Sequence, residues 1–211
     1  MCWSAPSSLA GFGLTWVLGV WLWTGARTPY DQWTAAAMMT VALIQLLEFF
    51  AWTFLHDPER RRRVARLLRP ALLAQPAVSF AMAAYALSAP WMLPFAALYA
   101  LFTAFFLVNV QQDADILVGQ RGHLAWHGNS RERTTILQES SWGWVYMIGV
   151  FAPFVVALLI GNSTYAWSMF LGIAGTFVLS SLAYSKAEAS SMWCFWGLVL
   201  TCIGWVSAPT T

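Results

Sequence analysis

Short polar stretches divide this chain into long apolar runs, each close to the length of a membrane crossing. A helix spanning the hydrocarbon core takes roughly 20 mostly apolar residues. Seven runs approach that length: residues 9–25, 33–55, 71–89, 91–111, 141–161, 164–184 and 190–208. The pattern predicts an all-α integral membrane protein, one domain built as a bundle of about seven transmembrane helices. The first run is short and the third carries Pro76, so six crossings is the alternative count. No Lys or Arg precedes the first run, which makes it a poor secretory signal and a retained helix instead.

Composition agrees with the pattern. Of the 211 residues, 59% are hydrophobic and 9% charged, whereas soluble domains carry about 25% charge. Fourteen tryptophans suit a bilayer, whose headgroup level collects amphipathic rings. The three cysteines, Cys2, Cys194 and Cys202, form no disulfide framework by count or spacing.

The basic residues give the bundle a direction. Arg60, Arg61, Arg62, Arg63, Arg66 and Arg69 fall in one gap, Arg121, Arg131 and Arg133 in a second, and Lys186 in a third. Only Arg27 lies elsewhere. Short loops rich in Lys and Arg stay on the cytoplasmic side, so the N-terminus is expected there and the C-terminus outside. A net charge of +2 gives no reason to expect a nucleic-acid partner. The expected partners are the lipid bilayer, anionic headgroups at residues 60–69, and a second copy of the chain.

Polar residues inside apolar runs carry the functional signal, because a charged group in hydrocarbon costs about 2.5–3.5 kcal/mol on insertion scales. Glu48 lies in such a run, about 10 Å inside the end of the second helix at 1.5 Å per residue, with Gln45 one turn deeper. Gln75 beside Pro76, Asn109, Gln111, Glu139, Tyr184 and Cys194 fall in the same half of the predicted bundle or at its mouth. The other half offers mainly hydroxyls such as Thr40 and Thr103. A through-pore needs polar lining along its whole length. The one-sided distribution predicts a cytoplasm-facing pocket formed by Gln45, Gln75, Asn109, Glu139 and Cys194, with Glu48 and Cys2 as candidate catalytic groups. The bland alternative is that the amides join helices by hydrogen bonds.

The stretch Gly122-His123-Leu124-Ala125-Trp126-His127-Gly128 places two histidines four apart. On a helix they would share one face and could hold zinc or another divalent metal. Asp113, Asp115, Glu139 and Cys2 are further candidate ligands, and Asp113 with Asp115 could instead hold a divalent ion together with a phosphate. Farther along, Asn129 and Glu132 have the spacing of a helix start, with a polar turn the equal alternative. Lys186, the single lysine, sits in a polar connection where a retinal Schiff base is not expected. No phosphate loop, Rossmann fingerprint or nucleophile elbow occurs.

The opening Met1-Cys2-Trp3-Ser4-Ala5-Pro6 and the stretch Gln45-Leu46-Leu47-Glu48-Phe49-Phe50-Ala51-Trp52 resemble small multi-span membrane proteins of bacteria and large DNA viruses. The resemblance covers about fifteen residues and implies no activity. The functional expectation is a pocket for a small ligand or metal, with membrane-embedded catalysis as an extension. A proton, ion or small-solute pathway through Glu48 is the first alternative, and a structural subunit of a membrane complex the second.

Overall fold

In a computed structural model, the structure describes residues 4–109, 114–119, 122–129, 134–135, 141–161, 163–183 and 197–208. The described helices are α1 (Ala5–Thr24), α2 (Pro29–Thr53), α3 (Pro58–Ala86), α4 (Leu93–Val108), α5 (Ser141–Ile160), α6 (Ser163–Ala183) and α7 (Gly197–Ser207). A single 3₁₀ turn, Pro90–Met92, leads into α4. Between α4 and α5 lie three short antiparallel strands: β1 (Asp115–Val118), β2 (Leu124–Asn129) and β3 (Thr134–Thr135), in that order.

Six of the helices are long and apolar enough to cross a membrane. The last, α7, is described over 11 residues. The residues preceding it, Cys194 among them, lie outside the described residues. Large apolar side chains face outward, including Val17, Leu101, Leu159 and Leu182. Trp21, Trp23, Trp91, Trp167 and Trp205 are exposed where α1 ends, α4 and α6 begin and α7 ends. Those ends share one end of the bundle, so the rings form the belt expected at a membrane interface. The opposite end carries the arginines.

Local sequence explains the boundaries. Ser4 caps α1, its Oγ accepting from the Ser7 backbone N–H. Pro29 and Pro58 open α2 and α3, where the missing N–H costs nothing. The predicted gap over residues 60–69 is not a loop. Asp57 caps α3 by accepting from the Arg60 N–H at 3.1 Å, and Glu59 sits favourably in the first turn. Arginine is a strong helix former, so α3 starts well before the apolar run and carries the arginines on its first three turns. Pro70 and Pro76 are both accommodated inside this helix.

The second predicted gap also differs from expectation. Asn129 is the last residue of β2, Thr134–Thr135 form β3, and α5 is described from Ser141. Strand pairing wins because Ile116 and Trp126 face each other across β1 and β2 and are both fully buried. Gly122 permits the tight return between these strands with φ of +77°.

Packing inside the bundle depends on close helix approach. A Cβ on Gly149 of α5 would stand 2.5 Å from the Tyr99 ring of α4 and 2.8 Å from Pro76 of α3. Glycine therefore lets α5 press against the α3–α4 hairpin. Gly204 of α7 does the same against Thr34 of α2. The fully enclosed side chains Trp33, Ile44, Leu68, Tyr165 and Met169 form the centre of the core.

Candidate functional site

Helix α3 runs antiparallel to α2 and places Gln75 beside Ala37 and Met38, in the middle of the bundle. Gln75 is thus several turns deeper than the predicted boundary implied. It lines a pocket of about 50 Å³ enclosed by α2, α3, α5, α6 and α7. One water needs roughly 10–15 Å³ of such space, so the pocket holds a few waters or one small organic group. Most of its wall is apolar, from Met38, Val41, Val150, Phe154, Ile173 and Leu200. Three polar side chains interrupt it: Gln75, Ser79 and Tyr146.

These three are arranged unequally. The Tyr146 hydroxyl donates to Gln75 Oε1 at 2.7 Å. Ser79 Oγ accepts from Trp33 Nε1 at 3.0 Å, which leaves its own proton to donate. Gln75 Nε2 is buried and has no hydrogen-bond partner among the described residues. An amide donor left unpaired away from water costs about 1–3 kcal/mol. The pocket therefore presents donors and is short of acceptors. Trp33 lies beneath it, stacked on Phe154 at 4.9 Å with the planes 6° apart, and Tyr165 packs against both.

From the pocket a stripe of α2 leads to the Arg-rich end. Met38, Val41, Gln45 and Glu48 recur at intervals of three and four, on one helical face. Gln45 and Glu48 are buried at 2% and 0% exposure and both engage neighbouring groups. Gln45 is fitted against α1, where a Cβ on Gly11 would meet its Oε1 at 3.2 Å. Gly19 against Met39 sets the same antiparallel register. That register brings fully buried Ser8 level with Glu48.

The other predicted site residues fall elsewhere. Asn109 is exposed at the end of α4, and its amide donates to the Phe105 carbonyl of its own helix. Cys2, Glu139 and Cys194 lie outside the described residues. His127 lies within β2 and His123 just before it, not on a helix. Four residues of strand separate them by about 13 Å at 3.3 Å per residue, too far to share one metal ion. Among the described residues no group of three or more His, Cys, Asp or Glu could hold one. Asp115 is committed otherwise. Arg61 donates to its two oxygens through Nε at 2.8 Å and Nη2 at 3.0 Å, and to the Leu55 carbonyl through Nη1 at 2.7 Å. This fork pins the sheet to the start of α3.

A second fork closes the opposite end, and nothing in the sequence reading anticipated it. Arg27 donates to Asp31 through its backbone N at 2.8 Å, Nε at 3.0 Å and Nη2 at 3.0 Å. Its Nη2 also reaches the Trp205 carbonyl at 2.5 Å, while the guanidinium lies 5.1 Å from the Trp205 ring centre. The hydrogen bonds to Asp31 outweigh desolvation and raise the Arg27 pKa above its ordinary value. The opposite charges four apart in a short polar gap were the signal that could have revealed it.

No protein-family model matches this chain, and no curated protein or solved structure matches it either. The resemblance at residues 1–6 and 45–52 consequently transfers no residue role.

Proposed function

We propose that this chain is a multi-pass membrane protein whose bundle binds a small, largely apolar molecule bearing one hydrogen-bond acceptor, seated against Gln75. The unpaired Gln75 Nε2 inside an apolar pocket carries this reading. A carbonyl or ether oxygen would take that donor, with Ser79 available as a second. The apolar remainder would replace empty space against Met38, Phe154 and Leu200. Placing the arginine-bearing connections in the cytoplasm follows the charge bias of short loops. In that orientation the buried stripe from Glu48 to Met38 joins the cytoplasmic end of α2 to the pocket. Among the described lining residues no general base stands beside the Ser79 hydroxyl to activate it, so binding is favoured over catalysis.

Thermal unfolding in detergent with cyclopentanone and with cyclopentane tests the proposal. The ketone should raise the midpoint of the wild type more than the hydrocarbon does. Gln75→Leu should abolish that preference; because it removes an orphan donor but also takes the acceptor from the buried Tyr146 hydroxyl, the difference between the two probes, not the unliganded midpoint, is the readout. Equal shifts from both probes in the wild type would refute an acceptor site.

A second reading rests on Glu48. A fully buried carboxyl on the stripe that leads to the pocket is a feature of proton relays. Proton flux in liposomes that depends on a carboxylate at Glu48 would favour this reading. Flux that is absent, or unchanged in Glu48→Gln, would remove it.

A further inference from the structure

A separate feature lies on the outer surface, on the far side of α3 from the Gln75 pocket. A groove of about 280 Å³ runs between α2, α3 and α4 at their Arg-rich ends. Leu43 and Leu46 form one wall, Leu67, Pro70 and Ala74 the floor, and Leu107 the other wall. Its single polar lining residue, Thr103, turns its hydroxyl onto the Tyr99 carbonyl of its own helix at 2.9 Å. The groove thus offers a ligand no hydrogen bond along its length.

Its mouth is different. Arg63 and Arg66 precede Leu67 and Pro70 by one turn of α3, and Arg60 precedes Arg63 by another. On the facing wall Phe50 and Phe54 continue the line of Leu43 and Leu46, with their rings stacked at 6.2 Å. The Arg60 guanidinium lies 5.5 Å from the Phe54 ring centre. Arg60, Arg62 and Arg63 are the exposed members of the arginine cluster; Arg62 turns toward Asp115, while Arg60 and Arg63 pair with half-buried Asp57 and exposed Glu59. Such surface pairs hold weakly and exchange readily for a stronger anion. Arg66 Nε is buried without a protein partner among the described residues. Arg61 and Arg69 are not available, since Arg61 is held by Asp115 and Arg69 is buried with its guanidinium over Phe106.

We propose that this groove is a binding site for one anionic phospholipid, with an acyl chain along Leu46, Leu67 and Leu107 and the headgroup phosphate at Arg60 and Arg63. A chain-shaped apolar slot that ends in exposed, weakly paired guanidinium groups matches a molecule with a hydrocarbon tail and a negative head. A second copy of the chain docking face to face would bring like charges together at the same place. A free phosphate would leave the slot empty.

Native mass spectrometry of the full chain released from detergent measures the site directly. The first equivalent of phosphatidylglycerol should be held about tenfold more tightly than phosphatidylcholine with the same acyl chains. Arg60→Gln/Arg63→Gln should erase that preference and leave phosphatidylcholine retention unchanged. Ala74→Phe, which fills the slot, should weaken retention of both lipids. If that variant does not fold, Leu67→Trp at an exposed position serves the same purpose. Equal retention of the two lipids by the wild type would overturn the proposal, as would a preference that survives loss of both arginines. Displacement of the lipid by inorganic phosphate alone would overturn it too, since the chain would then contribute nothing.

Discussion

Two arginine–aspartate forks sit at opposite ends of the bundle, and they solve the same problem at different ranges. In each, a buried carboxylate accepts from Nε and Nη2 of one guanidinium. The Arg27–Asp31 fork spans four positions across the start of α2. The Arg61–Asp115 fork spans 54 positions and joins a sheet to a helix. The local fork keeps its arginine side chain 35% exposed, whereas that of Arg61 is 12% exposed. A carboxylate can therefore be removed at the first fork with water partly taking its place. At the second, its removal strands a cation inside protein. Range along the chain and dependence on the partner rise together here.

Substitution separates the two. Asp115→Ala should cost the most, about 3–5 kcal/mol, because it leaves Arg61 enclosed and unpaired. Denaturant unfolding in detergent reads the loss, and limited proteolysis should show faster cleavage between α4 and α5. An unchanged midpoint would mean the sheet is anchored by its apolar face instead. Gly149→Ala comes next, at about 1–3 kcal/mol, since its Cβ would press on Tyr99 and Pro76. Gly13, whose Cβ position meets nothing, is the control. Gly13→Ala should leave stability unchanged or raise it by up to about 1 kcal/mol, as helix propensity alone dictates. Asp31→Asn should produce a smaller loss than Asp115→Ala, and one that shrinks in high salt, because its partner is partly solvated. Equal losses in the two aspartate variants, or a loss at Asp31 indifferent to salt, would cancel the distinction. Asn109→Ala should fall within about 0.5 kcal/mol, because its exposed amide bonds only its own helix.

The same contrast shows what was legible beforehand. Apolar runs write their own helices, because each must satisfy its backbone internally in lipid, and the first six predicted spans match the described helices to within a few residues except at α3; the start of the seventh, 190–196, lies outside the described residues. That exception is instructive. Hydropathy marks where α3 enters apolar surroundings, but the Asp57 cap and helix-forming arginines determine where it starts. Interior partners were harder to read, because they depend on which helices meet. Gln75 was visible as a polar residue in an apolar run. Its depth, and its hydrogen bond from Tyr146 across 71 positions, were not. The histidine pair misled because a spacing of four shares a face on a strand as well as on a helix. Only the strand separates the pair by more than ten ångströms. The pairing of Ile116 with Trp126, which decided for a strand, has no local signature.

The Arg61–Asp115 contact also sets an order of events during synthesis. Arg61 emerges with the first turn of α3, and Asp115 only after α3 and α4 are both complete. Their two side chains can meet only once that helical hairpin has turned back on itself and returned the chain to the side from which it departed. The bond thus registers completion of the first four helices. Helices α5 to α7 then arrive at a foundation already tied, with the Gly149 notch waiting for the first of them.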